Sequence, residues 1–117
     1  MPTELIAIET SEAEVSSPCP RLDLPAPDVA DAAAVAALVS DRTRAGILAI
    51  LRDGPHCVCE MAAALDIKQN NLSNHLARLR EAGLVRTSRH TTDARWIYYE
   101  RDEDAIAAAA EALSQVL

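Results

Sequence analysis

The sequence predicts a mainly α fold with one small β-hairpin, in the order α-α-α-α-β-β-α. Three observations predict it. Leu72, Leu76 and Leu79 fall at i, i+4 and i+7 on an otherwise polar segment, which is the stripe of a helix buried along one face. A short alanine-rich helix precedes it across a tight turn, Asp66-Ile67-Lys68. Two β-prone segments follow Gly83, and the second holds all the aromatic residues, Trp96, Tyr98 and Tyr99.

Taken in order, residues 1–27 read as an arm. They carry Pro2, Pro18, Pro20, Pro25 and Pro27 and four acids before Val15, with little periodicity, and they include Cys19. Residues 28–117 read as the folded domain. Asp28 to Val39 is an alanine-rich helix. Ser40-Asp41 caps a second helix, Arg42 to Arg52, whose apolar face is Ile47, Leu48, Ile50 and Leu51; Asp53-Gly54-Pro55 stops it. Cys57 to Leu65 is a short third helix. Gln69 to Ala82 is the fourth, ended by Gly83. Leu84 to Arg89 and Arg95 to Glu100 are two strands joined through residues 90–94. Asp102 caps a last helix, with Glu103 and Asp104 suited to its positive end. A helix pair joined by a turn and followed by a hairpin is a winged helix-turn-helix.

Half of the 117 residues are hydrophobic, yet much of that half is alanine and there is no phenylalanine. Such helices approach closely and bury little, so a second copy of the chain would help complete the core. No apolar run is long enough to span a membrane, and residues 1–15 lack a secretory core, so a cytoplasmic protein is expected. An enzyme is not expected: there is no phosphate loop and no paired nucleophile and base, and only three glycines.

The net charge is −7, but it is unevenly spread. Residues 67–101 hold seven basic and three acidic residues, a local +4 that leaves −11 on the rest. A local positive patch is what a phosphate backbone feels within a Debye length. With the leucine stripe inward, the fourth helix presents Gln69, Asn70, Asn71, Ser73, Asn74 and His75 in its first two turns. Amides and hydroxyls both donate and accept, as base edges in the major groove require, and asparagine is a poor choice for a helix needing only solubility. Arg78 and Arg80 suit phosphate contact, and Arg86, Arg89, His90 and Arg95 would lie on the wing.

Two of the three cysteines stand one residue apart in His56-Cys57-Val58-Cys59. On a regular helix they would point roughly 200° apart. On an extended or distorted backbone they face the same way and can share one ion. A helix start after Pro55 permits that irregularity, and the helix dipole is expected to favour thiolates there. The plainer alternative is two small buried hydrophobes.

Together "LVSDRTRAGILAILRDG", "HCVCEMAAAL", "NLSNHLARLREAGLV" and "DARWIYYE" resemble the ArsR/SmtB family of bacterial metal-responsive repressors, over roughly Val35 to Asp104. The resemblance implies a homodimeric winged helix-turn-helix repressor, dimerising through its first and last helices. It would hold an operator in double-stranded DNA, arranged as an inverted repeat, and release it when a metal or metalloid binds. It also implies that Cys57 and Cys59 mark a thiolate sensing site. Some arsenic-sensing members add a third cysteine where this chain has Ala62; others recruit one from an N-terminal arm, the place of Cys19. A last-helix carboxylate–histidine site is not expected, because that helix has no histidine. Three thiolates and As(III) or Sb(III) make a neutral, three-coordinate centre. Cd(II), Pb(II) or Zn(II) would carry a net charge of −1, and zinc and cadmium would call for a fourth ligand such as His56, Glu60 or water. A thiol redox sensor pairing Cys19 with this site, or a module whose metal only holds the fold, are the competing readings.

Overall fold

The computed structural model describes residues 20–88 and 95–117, so Cys19, Arg89 and His90 lie outside the described residues. Among those described, the elements are α1 (Ala30–Val39), α2 (Arg42–Ile50), a 3₁₀ turn (Leu51–Asp53), β1 (His56–Cys57), α3 (Val58–Leu65), α4 (Gln69–Glu81), β2 (Val85–Thr87), β3 (Tyr98–Arg101) and α5 (Glu103–Ser114). The winged helix-turn-helix expectation holds, with corrections at the strands and at four helix ends, two of them by a single residue: α3 starts at Val58 and α4 ends at Glu81.

Local chemistry sets most boundaries. The Asp28 carboxylate accepts from Ala30 N–H, which delays the first helix by two residues relative to the sequence reading. Asp41 and Asp102 are N-caps, accepting from Arg44 and Ala105 N–H at 3.0 and 3.1 Å. The second helix tightens to 3₁₀ after Ile50 and ends at Gly54, whose φ of 138° only glycine adopts readily. Asp66 closes α3 in the left-handed region, with Ile67 N–H on Ala62 C=O and Asp66 N–H on Ala63 C=O. That is a Schellman turn, and it aims the chain directly into α4. Gly83 repeats the motif at the end of α4.

The sheet corrects the expected two-stranded ribbon. It has three antiparallel strands in the order β1-β3-β2, because His56 and Cys57 pair with Tyr99 and Tyr98. The last strand runs Tyr98–Arg101, not Arg95 to Glu100: Arg95 and Trp96 lie in the turn before it, since pairing with β1 and β2 sets the register.

The core is one cluster of Ile47, Leu51, Met61, Ala62, Leu72, Leu76, Leu79, Leu84 and Val85. The three α4 leucines are fully buried or nearly so, each stabilising the fold by about 1.5–3 kcal/mol. Helix α4 packs on α2 and α3, while α1 packs on α5.

Candidate metal centre and DNA-reading surface

Cys57 is both the last residue of β1 and the N-cap of α3, with an extended backbone (φ −90°, ψ 166°). One residue into the helix, Cys59 brings its Sγ to 3.2 Å from that of Cys57. The extended entry thus puts both sulfurs on one side, as sharing an ion requires. A capping box surrounds them. The Cys57 sulfur faces the Glu60 N–H, and Glu60 Oε1 accepts from Cys57 N–H at 3.0 Å. His56 Nδ1 lies 3.3 Å from the same oxygen.

The expected thiolate bias does not hold for Cys57. Burial pushes its thiol above the ordinary value, and the Cys59 sulfur and Glu60 carboxylate push the same way against the Glu60 N–H. Burial costs the charged form more than one helix terminus returns. Glu60 is held below the usual carboxylate range by the Cys57 N–H, with His56 assisting. Among the described residues no group of three His, Cys, Asp or Glu is arranged to hold an ion, so two sulfurs are in place and the third expected, Cys19, lies outside them. On the last helix, Glu103 is engaged by Arg101 at 3.1 Å and Glu111 by Gln115 at 3.0 Å.

The reading helix follows three residues after α3. Gln69, Asn70, Asn71, Ser73, Asn74 and Arg78 are exposed on α4, with Asn70 and Asn74 opposite the buried leucines and the others toward the flanks. His75 is not displayed with them: its side chain is 29% exposed, and Nδ1 meets Arg44 Nη1 at 3.1 Å and Asp41 Oδ2 at 3.6 Å. Arg80 lies over the Tyr99 ring, 5.9 Å from its centroid. Arg86 is held on the sheet by Glu100 at 3.0 Å and Asp102 at 3.2 Å. Arg95 is exposed in the turn before β3.

Arg44 was not singled out by sequence, yet it is 9% exposed and holds Leu38 and Ala37 carbonyls at 2.6 and 3.4 Å besides His75. The signal was present: Arg44, Ile47 and Leu51 share one helix face, which sets a cation among core positions.

Residues 41–87 match the family described as bacterial regulatory protein, arsR family. The chain is 45% identical over 62 residues to the arsenic resistance transcriptional regulator ArsR1 of Pseudomonas putida, covering 52% of this chain and 46% of that one. It is 35% identical over 79 residues to the arsenical resistance operon repressor of Escherichia coli, covering 67% and 65%. The matched part thus spans about half to just under two thirds of these curated relatives. A solved structure titled as a possible transcriptional regulator for arsenical resistance superposes with a TM-score of 0.62 at 27% identity, covering 69% of this chain and 81% of that one. With the helix-turn-helix and its three-stranded wing in place, residues 41–87 form a helix-turn-helix of the arsR family of bacterial regulatory proteins.

Proposed function

We propose that the chain is a metalloid-responsive transcriptional repressor. As a homodimer through α1 and α5 it holds operator DNA, with α4 in the major groove, and it lets go when As(III) or Sb(III) binds Cys57 and Cys59, with Cys19 of its own or the partner chain as the third ligand. Gln69, Asn70, Asn71, Ser73 and Asn74 read base edges. Arg78, with Arg89 and Arg95 of the wing, meets phosphate.

The observation that carries this reading is the sulfur pair at 3.2 Å on the N-cap of the helix that supports α4. Bonds of ~2.3 Å to a shared ion set two thiolates about 3–4 Å apart, so this pair is already spaced to hold one ion between them. Regulation follows from the double duty of Cys57. A ligand that takes its sulfur takes the cap from α3 and strains the β1–β3 pairing, and the Schellman turn at Asp66 passes any shift of α3 to α4. The names of two relatives, an arsenic resistance regulator and an arsenical resistance operon repressor, support the same ion class.

A divalent ion is the second reading, favoured by His56 and Glu60 beside the sulfurs. Proton balance separates the two. Arsenous acid exchanges three hydroxyls for three thiols, forming three As–S bonds and releasing three waters and no proton. A divalent ion must expel a proton from each thiol, and burial holds the Cys57 proton firmly. Operator release should therefore require nearly the same As(III) concentration across pH 6 to 8, whereas Cd(II), Pb(II) or Zn(II) should act at lower concentration as pH rises. The test is fluorescence anisotropy of operator DNA with the apo protein, titrated with each ion, and repeated with Cys19→Ser. Full arsenite release in that variant overturns the three-thiol site, and an apo protein with no preference for any duplex overturns the repressor.

A further inference from the structure

We infer that His75 acts on operator binding from inside the protein, as the acceptor for Arg44 in a clamp that sets the recognition helix against the carboxyl end of α1. This rests on the DNA-binding reading of α4.

The clamp has three parts. Arg44 is nearly buried, so its donors must be met within the protein. Nε and Nη2 take the Leu38 and Ala37 carbonyls in the last turn of α1, where backbone acceptors lack intrahelical N–H partners; Ala37 also accepts from the Ser40 hydroxyl at 3.1 Å. A cation there also suits the negative end of the helix dipole. Nη1 is left for His75 Nδ1 at 3.1 Å.

A guanidinium only donates, so Nδ1 accepts, and a neutral ring then carries its proton on Nε2. The Asp41 carboxylate fixes Arg44 from its backbone, capping α2 through Arg44 N–H at 3.0 Å; at 3.6 Å from Nδ1 it is beyond hydrogen-bond range, which leaves that nitrogen to the guanidinium. The first half of α4 is thereby tied to the junction of α1 and α2 by one charge-assisted bond. Losing such a bond to a buried cation is worth about tenfold or more in an equilibrium. The placement matters because His75 lies one to six residues from every polar residue assigned above to base reading, so a tilt of this half-helix moves them together.

His75→Ala and His75→Asn separate this from a direct DNA contact. Asparagine Oδ1 stands at the same position in its side chain as Nδ1 and can accept from Arg44, whereas alanine cannot. Both variants are compared with the parent in two measurements: amide exchange of residues 72–76 in the free protein, and operator affinity across a salt series. The alanine variant should exchange these amides about tenfold faster. It should also bind operator about tenfold more weakly, with an unchanged salt slope, because no phosphate contact is lost. The asparagine variant should stay within about threefold of the parent in both.

Parent-like exchange and affinity in His75→Ala overturn the clamp. So does an asparagine variant as weak as alanine with the salt slope reduced by about one, which marks a ring touching phosphate. If the parent itself prefers no duplex, the repressor reading falls, and the exchange rates alone still decide the clamp.

Discussion

The helix-turn-helix unit and the α1–α5 pair spend their apolar residues in opposite ways. In the first, Ile47, Met61, Leu72, Leu76 and Leu79 are all shut away from solvent. In the second, α5 has no buried residue and α1 buries only Ala32. Between α1 and α5 runs an open groove of about 410 Å³, lined by Val35, Leu38, Leu84, Ala105, Ala108 and others. Leucine at helical spacing closes a core within one chain. Alanine lets helices approach but removes little area from water, so the same count of apolar residues leaves a face unfinished. The reading unit is stable by its own packing, and the alanine face is where a second copy would add what one chain lacks.

The largest expected effect falls on the closed unit. Leu76→Ala should cost about 2–5 kcal/mol in urea unfolding, from lost transfer energy plus the cavity left behind. A cost under 1 kcal/mol would mean that the leucine stripe is not what holds α4. On the open face, Ala108→Glu places a carboxylate on an exposed groove wall. It should leave the monomer's unfolding free energy within about 0.5 kcal/mol of the parent while abolishing self-association in sedimentation equilibrium. A variant that still dimerises would move the contact between copies away from this groove.

The same contrast shows what was legible in the sequence. Helices announced by period and cap were readable: the α4 stripe, Asp41, Asp102 and Gly83 all act locally, within one turn of the residues they organise. Features made by distant partners were not. Strand β1 is two residues long and shows no period; it exists because Tyr98 and Tyr99 come alongside. Arg86 reads as a wing cation until the register sets Glu100 across from it. His75 reads as a DNA contact from its helical position, and only the arrival of Arg44, 31 residues earlier, turns it inward. At the sulfur pair, the extended entry was foreseeable from Cys-x-Cys chemistry. The raised Cys57 thiol was not, because its own place in a strand beside Tyr98 was unseen.

A smaller effect is expected where the two regions meet, at the Asp41 cap. Asp41→Ala removes the acceptor for Arg44 N–H and should lower the melting temperature by about 5 °C near neutral pH. The carboxyl is held below its ordinary value of 3.8, chiefly by that N–H, with burial opposing and the Arg44 charge adding. A depressed folded pKa gives stability that is present above the unfolded value and lost as pH falls through the folded one. The gap between parent and variant should therefore be full at pH 6 and shrink below about pH 4. A gap that persists in strong acid would mean that Asp41 acts through packing and not through its charge.

The smallest effect on stability is expected at the sulfur pair, and there it is most informative. Cys57 caps α3 with a weak acceptor, whereas serine ranks among the preferred N-caps. Cys57→Ser should leave unfolding at pH 7 unchanged or raised by up to about 0.5 kcal/mol, and operator binding intact, while release by arsenite is lost. The raised thiol adds an alkaline signature. A raised folded pKa gives stability that is complete below the ordinary thiol value of 9.0 and declines as pH rises through the folded one. Serine does not titrate there, so the variant should outlast the parent above pH 9. If Cys57→Ser instead unfolds at neutral pH, the sulfur is needed as core volume and the cap is incidental. Ion binding would then act by opening the sheet edge, and the signal would reach α4 through β3 and Tyr99 under Arg80 instead of through the first turn of α3.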